Sequence, residues 1–372
     1  MKVLPKGAPQ LKKDVFEPGL CTACGGCVGY CPYIKAVADR VAMIYPCNCE
    51  EGQCYQVCPR TLTDLPFFRA QVFGERALEF NKLNQDNLEA VLGVCRALYF
   101  ARAGAAAGSF KGQYGGVTTS LMRYALATGK IDGTLLVGGK PSQPRPVLAT
   151  SLQQVEACAG SKYAAFPTLS MLYQPTQNIS FLGLVGRPCQ VTALRKMQQV
   201  EAGAAGQVKL AIGLFCFWSL GPEFIPWLIE TGLGLIDKMD VTVNEVLFQK
   251  GEEVIRQNPA EIQSFIKPSC QLCYDPVAEL ADLAVGSTEY EADWNTLIVR
   301  SQAGEDLVKE ALQQGILEVK PYPKERLPLL KQAVFAKKQR VLQALKAEKE
   351  NSRVGYLNLS PAEINFYLKL FR

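Results

Sequence analysis

Eight of the fourteen cysteines lie between residues 21 and 58, and the chain has no histidine. Thiols packed that densely either pair as disulfides or hold a soft metal. Disulfide frameworks belong to short secreted chains, whereas this chain has 372 residues and 48% hydrophobic content. That is enough for two or three domains and a large core. The missing histidine excludes Ser-His-Asp and Cys-His nucleophiles, His-ligated zinc or haem, and any imidazole base. A net charge of +5 with 20% charged residues fits neither a disordered chain nor a basic nucleic-acid arm. The N-terminal stretch offers no signal-peptide core. The most apolar run, Leu210–Pro222, has 13 residues before Glu223. A membrane span needs about 18, so a buried strand is expected. The expectation is a cytoplasmic chain with no membrane span and no nucleic-acid partner, its thiols reduced and available to metals.

Cys21-x2-Cys24-x2-Cys27-x3-Cys31-Pro32 is the bacterial ferredoxin run, in which three thiolates wrap one cubane and the fourth turns to a second. Gly25 and Gly26 are expected to let the chain pass close to the cluster. A second run follows: Cys47-x-Cys49-x4-Cys54-x3-Cys58-Pro59. Its matching Cys-Pro end predicts a reciprocal arrangement. Cys21, Cys24, Cys27 and Cys58 would hold one [4Fe–4S] cluster, and Cys31, Cys47, Cys49 and Cys54 another. Its irregular first spacings leave a four-cysteine zinc site open for the second.

The rest reads as four segments: a ferredoxin-like unit at 1–66, a helical connector at 67–100, an α/β domain at 101–330 and a helical tail at 331–372. In the α/β segment, apolar runs at Thr134–Val137, Ile179–Leu184 and Leu210–Phe217 alternate with helical patterns at Val191–Met197 and Ala303–Gln314, favouring a mixed or parallel sheet. Residues 331–350 form an amphipathic helix. Its Lys331, Lys337, Lys338, Arg340, Lys346 and Lys349 read as a solvated face, with a docking helix as the other option. Cys270-x2-Cys273 alone is ambiguous between zinc, a redox dithiol and iron–sulfur. Cys189 at a strand-to-helix turn and Cys216 at a strand end sit where open sheets place their sites. Cys95 and Cys158 read as inert filling. No Asp or Glu occurs from 90 to 131, while Arg96, Arg102, Lys111, Arg123 and Lys130 do. Inside that span Gly115-Gly116 opens a helix carrying Thr118 and Thr119, which is either a plain helix cap or an anion site. GSKY at 160–163 is similar and weaker.

Five segments together resemble one family: YGGVTTSLMRYALATGKIDG, GSKYAAFPTLSML, GRPCQVTALRKMQ, CQLCYDPVAELADLAVGS and WNTLIVRSQAG, in that order over about 108–304. They are similar to the beta subunits of coenzyme F420-reducing hydrogenase, of F420-dependent formate dehydrogenases and of F420H2 dehydrogenases. The resemblance implies an α/β (α+β) flavin and iron–sulfur domain preceded by a small ferredoxin-like domain. It implies FAD near Gly115, Gly116, Thr118, Thr119 and Lys162, and a third [4Fe–4S] cluster on Cys189, Cys216, Cys270 and Cys273. It implies an oxidoreductase subunit that moves electrons between a hydride carrier, F420 or similar, and a partner through three clusters. The partner would be a hydrogenase, formate dehydrogenase or heterodisulfide-reductase-like protein, or a ferredoxin. Two other readings stay open: a ferredoxin-dependent reductase of a bulky organic substrate, and a non-catalytic electron-transfer adaptor. The sequence departs from the family's pattern at Tyr114, where an acid is common, at Phe217-Trp218-Ser219, and at Glu289 and Asp293.

Overall fold

The computed structural model describes residues 6–84, 86–110, 112–174, 179–200, 203–288, 290–347 and 355–369. Lys111, Glu289 and Lys349, singled out above, lie outside the described residues, as does the side chain of Lys346.

The cysteine-rich N-terminal segment carries a hairpin, β1 (Ile34–Val37) and β2 (Arg40–Met43), and a short strand β3 (Thr63–Asp64) that leads into helix α1 (Leu65–Phe73). Asp64 caps α1 through the Phe67 amide, and proline at the second helical position fits the unpaired first turn. The stretch read as a helical connector is helical only over α1 and Leu88–Leu92, with single 3-10 turns between, and ends inside a strand. Its apolar residues face different neighbours rather than one continuous stripe.

That strand is β4 (Ala97–Ala103). It joins an eight-stranded sheet with β5 (Gly133–Gly138), β6 (Arg145–Ala149), β7 (Leu182–Gly186), β8 (Val208–Leu214), β12 (Leu283–Ser287), β13 (Asn295–Val299) and β14 (Leu317–Pro321). The order is β14-β4-β13-β12-β8-β7-β5-β6. The pairs β5–β7, β7–β8 and β8–β12 are parallel, and the flanking pairs are antiparallel. The central strands are nearly all buried, as strands covered on both faces must be. The apolar run at 210–222 is strand only to Leu214, and then forms the loop carrying Cys216. The chain's fold is thus a mixed α/β sheet fold.

Helices α2 (Val117–Ala127), α3 (Pro188–Val200) and α4 (Gln302–Gln313) cover the sheet. α4 is stopped at its start by Ser301, whose hydroxyl accepts from the Gly304 amide, and it buries Leu307, Val308 and Ala311. A separate three-stranded sheet, β9 (Lys238–Val241), β10 (Val246–Lys250) and β11 (Glu253–Gln257), stands beside the large one. Last come α5 (Leu327–Ala347), β15 (Leu357–Asn358) and α6 (Pro361–Lys369).

Contacts run freely across the four sequence segments. Ala8, Leu11, Ile34 and Val57 share one core with Leu182, Leu184, Leu194 and Met197 of the sheet domain. Gly25, at φ +88°, comes so close to the 167–170 backbone that a Cβ would lie 2.7 Å from the Pro167 carbonyl oxygen. The sequence assigns this glycine to an approach to a cluster, whereas the close approach seen here is to the backbone of the sheet domain. β15 pairs in parallel with β3. Arg69 of α1 donates to Glu279 and to Glu363 of α6, and Lys338 of α5 pairs with Glu279, all fully buried.

The basic helix needs correction. The helix packs on its own domain and Arg340 is exposed as a solvated face requires, but Lys337 and Lys338 are 4% and 0% exposed and do not belong to that face. Lys331 donates to the Asp86 carbonyl, and Arg340 to the carbonyls of Gln271 and Cys270. The four described cations, Lys331, Lys337, Lys338 and Arg340, each donate to a group of the protein itself.

Candidate active site

A cavity of about 1090 Å³ opens at the carboxyl ends of the parallel strands. Val137, Gly186, Leu214 and Gly286 from the ends of β5, β7, β8 and β12 form its floor. This is where open α/β sheets place ligands. Gly116, in the left-handed region at φ +69°, caps α2 and turns the chain into the helix, so that Thr118 and Thr119 line the cavity. Gly115 does not line it. Its Cβ position is filled by Ala101 O, Asn295 Oδ1 and Asp293 O, each within 3 Å, so this glycine serves packing. Lys162 lines the wall, and its ammonium donates to the carbonyls of Cys158, Ala159 and Gly160 at 2.7, 2.8 and 3.0 Å. Burial pushes its pKa down to about 8.

The cations of the acid-free stretch play another role than expected. Arg96, Arg102, Arg123 and Lys130 pair with Glu305, Glu318, Glu156 and Glu310 at 2.5–2.9 Å. Their partners lie 33 to 216 residues further on, which no local reading of the sequence reveals. The positive charge in the cavity wall comes instead from Lys162, Arg187 and Arg326, and no Asp or Glu lines it among the described residues. Cys158, read as filling, also lines it.

All fourteen cysteines are free. Their electrostatic neighbourhoods sort twelve of them into three sets. Cys24 and Cys27 feel Cys21 and Cys58. Cys49 and Cys54 feel Cys31 and Cys47. Cys216 feels Cys189 and Cys270, and Cys270 feels Cys189 and Cys273. Spacing predicts the first two groupings and the resemblance implies the third, and the neighbourhoods also cross between them: Cys24 feels Cys189 ahead of Cys21, and Cys27 feels Cys54. The same neighbourhoods also link the sets in series. Cys216 lines the cavity, Cys21 and Cys24 feel Cys189, and Cys27 feels Cys54. Cys49, in the last set, is exposed.

The surroundings suit thiolates. The Ala23 amide donates to Cys21 Sγ at 3.4 Å, and the Arg60 amide to Cys58 Sγ at 3.5 Å. Ala23 holds a positive φ of 50° to keep that loop curled round the sulfur. Burial pushes Cys58 up to about 11 and Cys216 up to about 12, so these thiols ionise only beside a compensating positive centre. At Cys273 burial also raises the pKa, but Lys337 and Arg60 together outweigh it and the thiol ends below its ordinary range.

Four cations grip the loops of the third set. Lys337 donates to the Cys216 carbonyl at 2.6 Å. Arg340 holds the Gln271 and Cys270 carbonyls. Arg60, stacked on Tyr356 at 4.7 Å, holds those of Ser269 and Leu272. Arg187 reaches Ser219 Oγ, the Thr22 carbonyl and the Phe166 carbonyl. Sequence reasoning missed this ring, since the basic residues of 331–350 carry no mark of what they face. Among the described residues no three His, Cys, Asp or Glu side chains are drawn together tightly enough for a single metal ion. A cubane spreads its four thiolates around a larger body than the lone ion of a zinc site, with its sulfurs at about 2.3 Å.

Two family models match the chain, both describing the beta subunit of coenzyme F420 hydrogenase/dehydrogenase: its N-terminal part over residues 98–173 and its C-terminal part over 180–325. The coenzyme F420 hydrogenase beta subunit of Methanothermobacter thermautotrophicus is 33% identical over 64% of this chain and 89% of its own length. One of the subunits of the F420H2 dehydrogenase of Methanosarcina mazei is 27% identical over 88% of this chain and 91% of its own. Among solved structures, a chain of the F420-reducing [NiFe] hydrogenase complex from Methanosarcina barkeri superposes with a TM-score of 0.64 at 29% identity. It covers 70% of this chain and 94% of that one. The chain belongs to the coenzyme F420 hydrogenase/dehydrogenase beta subunit family.

Proposed function

We propose that this chain is an F420-linked oxidoreductase subunit. It exchanges hydride with F420 or a similar soluble carrier in the large cavity and passes electrons singly to or from a partner redox subunit. The observation that carries this is the double membership of Cys216, which belongs both to the cavity wall and to the first of three cysteine groups that neighbour one another electrostatically toward the exposed Cys49. A pocket beside a thiolate series suits a carrier that must trade paired electrons for single ones.

The residues fit the implied groups. FAD would lie in the cavity, its phosphates toward the start of α2 at Gly116, Thr118 and Thr119, with Lys162 and Arg187 supplying charge. A wall whose described residues include no carboxylate favours such an anion. When bound, the flavin supplies the conversion between two-electron and one-electron transfer. Three [4Fe–4S] clusters would be held by Cys189, Cys216, Cys270 and Cys273, by Cys21, Cys24, Cys27 and Cys58, and by Cys31, Cys47, Cys49 and Cys54. The cationic ring offsets the negative charge that four thiolates bring. The protein's own work is to hold these groups, to keep the cavity wall free of competing carboxylates, and to grip the cysteine loops.

The test is anaerobic iron and flavin content, then mixing with F420H2 and separately with reduced ferredoxin. About 12 iron and one FAD per chain, with the flavin bleached by F420H2, is the expected result. About eight iron without flavin would leave only the adaptor reading. Bleaching by reduced ferredoxin alone would favour an organic substrate, for which the cavity, at the upper end of ordinary ligand pockets, leaves room.

A further inference from the structure

We propose that Tyr114 and Asp240 form the route by which the proton of each transferred hydride leaves the cavity for solvent, with Tyr163 as the residue that positions Asp240. This rests on the hydride-exchange reading above. A hydride is two electrons and one proton. If both electrons leave through the cysteine series to a one-electron acceptor, one proton per hydride stays behind and must reach water. In the opposite direction one proton must enter.

The cavity wall has few groups able to carry it. The chain has no histidine, and no Asp or Glu lines the wall among the described residues. Lys162 gives its ammonium protons to three backbone carbonyls. Arginines do not titrate in this range. Tyr322, also in the wall, pairs with Thr296. Two other phenols of the wall point outward to one carboxylate. Tyr114 Oη donates to Asp240 Oδ1, and Tyr163 Oη lies 3.4 Å from the same oxygen. Tyr163 Oη also accepts from the Val241 amide at 3.3 Å, fixing the start of the β9–β10 turn. Asp240 is only half-buried and does not itself line the cavity. It therefore joins the cavity's phenols to water.

A second, independent observation marks Tyr114. It holds a φ of +56°, a region an aromatic L-residue occupies only under constraint. Glycine would sit there freely, as Gly116 does two residues on. Backbone strain at a cavity wall is retained where the side chain is used. Burial and the Asp240 hydrogen bond both raise the Tyr114 pKa, so the phenol stays protonated. It passes a proton by exchange: its oxygen takes one from the cavity as its own O–H proton goes to the Asp240 carboxylate. Asp240 then releases that proton to water. One proton enters the pair and one leaves, and no oxidant is consumed in this step.

The experiment uses the full chain, reconstituted with iron, sulfide and FAD, and F420H2 as hydride donor. Tyr114→Phe and Asp240→Asn should each slow turnover to a one-electron acceptor by about ten- to hundredfold. KM for F420H2 should not change, and the normal solvent deuterium effect should alter. The double variant should be no slower than either single, because the two act as one unit. Asp240→Glu should restore most of the rate. Asp240→Asn keeps an oxygen that accepts from both phenols, so a merely structural latch would leave that variant at the wild-type rate. A readout independent of rate is the oxidised-minus-reduced infrared spectrum, where the carboxyl band of Asp240 should vanish in Asp240→Asn. If F420H2 bleaches the wild-type flavin but both variants turn over at the wild-type rate, the proton leaves through open water and the relay is overturned. If F420H2 never bleaches wild type, the hydride-exchange reading fails first.

Discussion

The cysteine set beside the cavity and the set at the far end of the series contrast in their surroundings. Around Cys216, Cys270 and Cys273, Arg60, Lys337 and Arg340 hold the carbonyls of the cysteine loops and Arg187 the neighbouring Ser219 hydroxyl. Around Cys49 and Cys54, the charged side chains felt are other cysteines. Cys49 is exposed, and Ile44 and Tyr45 beside it are 47% and 63% exposed. Bringing four thiolates together costs electrostatic repulsion. Inside the protein that repulsion is offset by fixed cations, while at the surface water screens it. The inner set is therefore ringed by fixed cations, while the outer one, with Cys31 and Cys54 buried, opens to water at Cys49.

The largest effect that would break this contrast lies beneath the inner set. Replacing Glu279 by Gln leaves Arg69 and Lys338 as buried charges short of a partner. A loss of about 3–5 kcal/mol in urea unfolding is expected. The sign with pH follows from the same group. Burial raises the Glu279 pKa, but Lys338 and Arg69 outweigh it and hold the carboxyl at about 2. Its stabilising contribution is complete above the unfolded pKa of about 4.3 and disappears as pH falls from there toward about 2. Unfolding that is flat with pH across that window would contradict the account.

Next in size is metal retention. Under a chelator or air, roughly a third of the iron should leave first, and Cys49→Ser should abolish only that fast phase. If Cys273→Ser removed the fast phase instead, the assignment of inside and outside would be reversed. A smaller effect, on the order of 60 mV or tenfold for one electron, is expected for Lys337→Met. The potential of the cavity-side centre should fall in a redox titration while the others stay in place. Smallest of all is Arg40→Ala at the start of β2. Its pair with Glu223 is 60% and 67% exposed, and thermal unfolding should barely move.

What was legible in the sequence was local. The Cys-x2-Cys runs put several thiols within one loop, so spacing alone suggested which of them would be electrostatic neighbours, though not that Cys24 would feel Cys189 or Cys27 feel Cys54. Strands such as Thr134–Val137 were visible because a strand covered on both faces is a continuous apolar run. The stretch 67–100 was misread because its apolar residues face several partners, which imitates helical periodicity. The cations at 96–130 looked free because their glutamates arrive from distant strands and helices. Lys337 and Lys338 looked solvated because a buried lysine and an exposed one are written alike. The Tyr114–Asp240 contact spans 126 positions and has no signature short of the fold.

The parallel pairing of β3 with β15 has a temporal consequence. Residues 63–64, just past the last cysteine of the first eight, find their strand partner only at 357–358. At about 5–20 residues per second, a ribosome needs on the order of 15–60 s to make the chain between them. Throughout that time the first eight thiols stand on a segment whose clasp has not yet been synthesised. Durable cofactor loading is thus expected after translation, on the completed chain, and a nascent chain halted before β15 should bind iron only loosely.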